Sequence, residues 1–183
     1  HELAWRLREV HPDLQVRLEY PLERPSNAAI DILIRNGREE MALELKYLCQ
    51  RFEHMVDGEH FALKPQGAQD TRRYDVLKDI MRMEQFLANR TGASAAVLVL
   101  SNDPSYWKGR KSAGASDAAF ELREGRTVMG ILDWADHAGP GTKRGREASI
   151  TLKGGYPMNW RDYSQIDGRF GEFRFLYIPV ASG

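Results

Sequence analysis

The chain has 183 residues, and its 26 lysines and arginines balance its 26 aspartates and glutamates. That length suits one domain with a sizeable core. The zero net charge argues against a simple nucleic-acid coat protein, which would be basic. No run approaches the ~20 apolar residues of a membrane span, and no signal-peptide pattern opens the sequence at His1. The reading is therefore no membrane partner. The single cysteine, Cys49, makes neither a disulfide framework nor a Cys-rich zinc site. A cytoplasmic setting fits a lone thiol, which reads as buried and inert. A start at His1 leaves open that the chain is part of a larger protein or complex.

Residues Glu2 to Val10 predict a short helix, with Leu3, Leu7 and Val10 on one stripe. Three strands follow. Val16, Leu18 and Tyr20 alternate with Arg17 and Glu19. Ile30, Ile32 and Ile34 alternate with Asp31 and Leu33. Met41, Leu43 and Leu45 alternate with Ala42, Glu44 and Lys46. Asn36-Gly37 is a hairpin turn signal between the last two. Gln50 to Pro65 reads as a loop. A long helix is expected from about Gly67 to Arg90, with Val76, Leu77, Ile80, Met81, Met83 and Leu87 on its buried side. Ala95 to Leu100 suits a buried strand reached by a helical crossover.

Beyond residue 100 the pattern changes. Phe120 to Glu124 and Thr127 to Trp134 predict a hairpin about Gly125-Arg126. Glu147 to Lys153 and Phe173 to Val180 are further strands. Gly-rich loops run from Ser101 to Ser116 and from His137 to Gly145. The expectation is a single α/β domain over 1–183, with a core in 1–100 and a β-rich extension in 101–183 on the same sheet.

The chemistry-bearing residues lie on the second and third strands. Glu44 and Lys46 are two apart, so they share a face. The Asn36-Gly37 turn lets Asp31 approach Glu44. Two neighbouring carboxylates repel, and a divalent cation such as Mg²⁺ relieves that repulsion. A lysine beside them can orient a water or stabilise charge developing on a phosphate. Chance alone often puts an acid, an apolar residue and a lysine on a solvated strand. An Asp among isoleucines is harder to dismiss, because burying a charge without purpose is costly.

Asp31, twelve intervening residues, and then Glu44-Leu45-Lys46 resemble the signature of the PD-(D/E)xK, or restriction-endonuclease-like, nuclease superfamily. The order helix, three strands, helix, strand is similar to that superfamily's core with its mixed central sheet. The resemblance covers Glu2 to Leu100. It implies a metal-dependent nuclease with DNA as the favoured partner, in a defence or repair context. Asp31, Glu44 and the Leu45 carbonyl would ligate Mg²⁺, for which Mn²⁺ can substitute. Lys46 would be the catalytic lysine. Ile30 stands where many members have proline. Many members also place a Glu of the first helix near the metal, and Glu2 or Glu9 could match. The alternative is a non-cleaving nucleic-acid or protein-binding module that keeps the fold.

Several further residues are weighed as supporting the site. Glu19 could reach the metal, against an exposed strand charge. Asp70, Arg73 and Tyr74 stand early on the long helix, where some members use Gln and Tyr. Against this, Asp70 reads more readily as a helix cap. Lys108, Arg110 and Lys111, and Lys143, Arg144 and Arg146, form basic loops with Trp107, Tyr156, Trp160 and Tyr163 nearby in sequence. That mixture suits phosphate and base contact, and competes with plain solvated surface. The extension is accordingly expected to recognise substrate. The glycines 139, 141 and 145 match no phosphate-loop spacing.

Overall fold

The computed structural model describes residues 1–22, 28–88, 90–109 and 114–181. It contains a six-stranded mixed sheet in an α/β arrangement. Helix α1 (Glu2–Val10) leads into β1 (Gln15–Pro21), β2 (Ala29–Asn36) and β3 (Glu39–Leu48), an antiparallel meander. Asn36 pairs with Glu39, so the tight turn is Gly37-Arg38, with Gly37 at φ +60°. Glycine adopts that conformation at little cost.

Residues 50 to 65 are not the expected loop. They form a second hairpin, β4 (Phe52–Val56) and β5 (Glu59–Leu63). Its turn is Asp57-Gly58, with both φ values positive at 50° and 84°. This is the left-handed backbone that two-residue hairpins require, and Asp-Gly is its usual sequence. The strands escape a search for alternation because only Phe52 among them is buried.

Helix α2 (Gln69–Leu87) carries the chain to β6 (Ala93–Ser101), which pairs parallel with β3 from Glu40↔Ala93 to Leu48↔Ser101. Val76, Leu77, Ile80, Met83 and Leu87 are all buried, as the helical period predicts. Asp70 is in the first turn, where its carboxylate accepts the Thr71 N–H, but the cap position itself is Ala68 in a left-handed conformation.

The second half contributes two further pieces. After a short 3₁₀ turn (Ala118–Phe120), β7 (Thr127–Leu132) pairs with β8 (Ile150–Pro157), and the four-residue helix α3 (Pro140–Lys143) lies between them. The expected pairing of 120–124 with 127–134 is therefore replaced by a more distant partner. Arg126 instead donates to the carbonyls of Ala118, Ala119 and Glu121, which ties that segment into a loop. Strand β9 (Trp160–Gln165), which hydropathy did not single out, and β10 (Glu172–Val180) complete the main sheet in the order β1-β2-β3-β6-β10-β9.

The main core lies between this sheet, α2 and the β7–β8 layer. A smaller cluster of Ala4, Ile32, Leu43 and Ala96 packs α1 against the other face. Among the described residues no helix is long and apolar enough to cross a membrane.

Candidate active site

Pairing decides where the acids fall. Ile32 pairs with Leu43 and Leu33 with Ala42, so the next step of the register sets Asp31 opposite Glu44. The ladder opens at that step. In place of a main-chain bond, the Leu45 N–H donates to Asp31 Oδ2 at 2.6 Å. In an extended strand a residue's N–H and C=O point to the same side, so the Leu45 carbonyl also opens toward β2. Asp31, Glu44 and Lys46 therefore occupy one face, the face covered by α2. The neighbouring Ile32 and Leu43 face α1.

Helix α2 adds two residues that the sequence reading did not single out. Arg82 Nη2 lies 2.7 Å from Glu44 Oε2 and 2.8 Å from Asp79 Oδ1. Lys46 Nζ lies 2.7 Å from Asp79 Oδ2. Three carboxylates and two cations thus share the interface of β2, β3 and α2. Asp79 and Arg82 are one helical turn apart, so they present to the sheet together. An acid on the buried stripe of a helix was the available signal. Asp79 directly precedes Ile80, and it needs a partner as much as Asp31 does among its isoleucines.

Burial sets the electrostatics. Glu44 is 1 % exposed. Burial pushes its carboxyl up to about 8, opposed by Arg82 and assisted by the nearby charges of Asp79 and Asp31. Burial also raises the Asp79 carboxyl, with Lys46 and Arg82 pulling the other way. Satisfaction is incomplete. Glu44 Oε1, Asp79 Oδ2 and Arg82 Nε are buried with no hydrogen-bond partner, although Asp79 Oδ2 lies 2.7 Å from Lys46 Nζ as an ion pair. Buried polar atoms are seldom left so, and a missing water or ion is a common reason. Among the described residues no group of three or more His, Cys, Asp or Glu side chains is placed to hold a metal ion. Two carboxylates and a main-chain carbonyl are what the strands offer, and Mg²⁺ often takes only one or two carboxylates and keeps waters for the rest.

The other sequence candidates lie elsewhere. Glu2 and Glu9 pair with Arg6 on the exposed surface of α1, the helix on the opposite side of the sheet. Glu19 is exposed, but it falls in the register row of Asp31 on the neighbouring strand, and its φ of +48° is strained for a residue with a side chain. Arg73 is buried against Asp117 at 2.9 Å and the Ser105 carbonyl at 2.8 Å. Tyr74 stacks on Trp134 and donates to the Ala148 carbonyl. Both residues join α2 to the second half of the chain, not to the acids.

The basic loops divide in the same way. Arg146 makes a two-pronged bond to Asp75, both distances 2.7 Å, so its guanidinium is already engaged. Lys108 and Arg144 are exposed and Lys143 is half-buried. Arg110 and Lys111 fall outside the described residues. Of the nearby aromatics, Trp107, Tyr156 and Trp160 are core residues, and only Tyr163 is exposed. Cys49 is buried and burial raises its thiol, which removes it as a nucleophile.

No family model, no curated protein and no solved structure matches the chain.

Proposed function

We propose that the chain is a Mg²⁺-dependent phosphodiesterase acting on nucleic acid, DNA foremost, built on a restriction-endonuclease-like core of α1, β1 to β3, α2 and β6. The observation that carries this reading is the convergence of Asp31, Glu44 and Lys46 on one sheet face, with a buried Glu44 oxygen left unpartnered. A strand row that buries a glutamate beside an aspartate gains nothing in packing. It makes sense where a cation is to be held.

In this reading Asp31, Glu44 and the Leu45 carbonyl hold the cation. A bound Mg²⁺ supplies Lewis acidity toward a phosphate oxygen and makes a coordinated water a better nucleophile. The remaining work falls to the chain. The Leu45 N–H fixes the Asp31 carboxylate, so that acid is oriented before any ligand arrives. Asp79 holds the Lys46 ammonium beside Glu44, where it can donate to a phosphate oxygen. Lys46 and Arg82 are about a quarter exposed while Glu44 and Asp79 are almost fully enclosed. Substrate would thus approach from the side of the two cations, and the acids stay out of bulk water. Exposed Arg144 and Lys108 give the second half cationic points for phosphate contact.

One observation favours a second reading, a non-cleaving binding module. Lys46 and Arg82 already neutralise the acids in pairs, as a purely structural ion network would. Metal titration by calorimetry on wild type and Asp31→Ala separates the two. One Mn²⁺ or Mg²⁺ site that Asp31→Ala removes is expected for the enzyme. No heat of binding from either protein fits the module.

A further inference from the structure

Arg82 has a peculiar place in this network. A single guanidinium nitrogen, Nη2, meets carboxylate oxygens of both Glu44 and Asp79. A cation held by Asp31 and Glu44 would compete with that nitrogen for the Glu44 carboxylate. Mg²⁺ draws its oxygens to about 2.0–2.1 Å, nearer than any guanidinium hydrogen bond allows. The two cations cannot share the position.

The Arg82 side chain is also poorly satisfied there. Its Nε is buried without a partner, and its contact with Glu44 leaves Glu44 Oε1 unpaired. The acids are fixed in the interior, with side chains 1 % and 6 % exposed, whereas that of Arg82 is 24 % exposed on a long stem. If one member of the trio moves, it is the arginine. Asp79 would keep one charge partner after that movement, because its other oxygen lies 2.7 Å from Lys46 Nζ.

We propose that Arg82 is the resident counter-cation of this site, and that a divalent cation binds by displacing its guanidinium from Glu44. Asp79 is then a positioning residue with two charges to manage. It parks Arg82 when the site lacks a metal ion and keeps Lys46 in place when Arg82 leaves. The inference rests on the metal-binding reading above, and adds to it a competition within the chain. It also accounts for paired acids and cations without making the site inert, since one of the two ion pairs is the exchangeable one.

Mn²⁺ binding measured by calorimetry in neutral buffer tests this, using wild type, Arg82→Gln, Arg82→Ala and Glu44→Gln, each checked by thermal melting. Arg82→Gln keeps hydrogen-bond donors in the pocket and guards against a folding defect in the alanine variant. Both Arg82 variants should bind one Mn²⁺ about five- to tenfold more tightly than wild type, the scale set by removing one partly exposed competing ion pair. Glu44→Gln should bind it weakly or not at all. In wild type, nitrogen-15 spectra of arginine side chains should show one Nε–Hε signal moving toward the free-arginine position as Mg²⁺ is added. If wild type binds Mn²⁺ and folded Arg82 variants bind it no more tightly, with no arginine signal moving, Arg82 is structural and the competition is overturned while the metal site stands. If no variant and no wild-type sample binds the ion, both readings fall.

Discussion

The Leu45 main-chain N–H donates to Asp31 Oδ2 at 2.6 Å, across a point where the β2–β3 ladder has opened. A side chain has taken the place of a main-chain acceptor. That bond orients the carboxylate, which lies in the register row of Glu44. Asp31 thus has two roles, one in the sheet and one in the site, and substitutions can separate them. Asp31→Asn keeps an acceptor for Leu45 and should melt close to wild type. Asp31→Ala leaves that N–H unpaired and should lose about 1 kcal/mol of stability. Both should lose divalent-cation binding. Calorimetry and thermal melting on the pair check this, and normal Mn²⁺ binding by Asp31→Asn would contradict the assignment.

Lys46 is not a ligand in this account. Lys46→Ala should abolish cleavage while leaving Mn²⁺ affinity within a few-fold of wild type. Ca²⁺ should support substrate binding better than cleavage, since it tolerates irregular coordination and activates water poorly. Full activity in Lys46→Ala on any substrate that the wild type cuts would remove the lysine from the chemistry.

The buried acids should show in the pH dependence of stability. Burial pushes the Glu44 carboxyl up to about 8 in the folded chain, above the ordinary glutamate value it regains on unfolding. Between those values the folded state holds the extra proton, so stability falls as pH rises. The contribution is fully present below about 4.5 and lost as pH passes through about 8. Asp79, raised by burial as well, acts in the same direction. In EDTA, the melting temperature of Glu44→Gln relative to wild type should climb across that window by ~5 °C or more, then level off. A difference that stays flat with pH would show that Glu44 remains ionised throughout.

Much of this site was legible in the sequence. Residues that alternate strictly give their own facing, so Asp31, Glu44 and Lys46 could be placed on one side from the sequence alone. Apolar spacing also located α1 and the buried stripe of α2, but not the packed side of α1, where Ala4 is buried while Leu3 and Val10 of the expected stripe are exposed. Asp79 and Arg82 could not be paired with those residues, because nothing local tells which face of the sheet a crossover helix will cover. The β4–β5 hairpin was missed because its strands are mostly exposed and carry no apolar alternation, though Asp57-Gly58 announced the turn. Strand β9 was missed for a similar reason, since Trp160 is its one buried residue. The aromatics near the basic loops misled because Trp107 and Trp160 pack against each other in the core, a long-range contact invisible along the chain.

The basic loop of the second half now has a narrower expectation. Arg146 is bound to Asp75, so Arg146→Ala should lower the melting temperature without changing the salt dependence of DNA binding. Replacing Lys143 and Arg144 together should reduce the slope of log affinity against log salt by about 0.9 for each phosphate no longer neutralised. Affinity measured against salt in a Lys46→Ala background, where nothing is cut, checks both. An unchanged slope would mean that Lys143 and Arg144 are ordinary solvated charges.

Asp31, Glu44 and Lys46 are proposed to form a metal-dependent phosphodiesterase centre. The most direct measurement incubates wild type and Lys46→Ala with supercoiled plasmid, linear duplex, single-stranded DNA and RNA, each in Mg²⁺, Mn²⁺ and EDTA. Wild type should cut at least one of the DNA substrates with Mg²⁺ or Mn²⁺, EDTA should stop it, and Lys46→Ala should cut none. Failure of folded wild type to cut any substrate with either metal, or cleavage that persists in EDTA, would contradict that assignment.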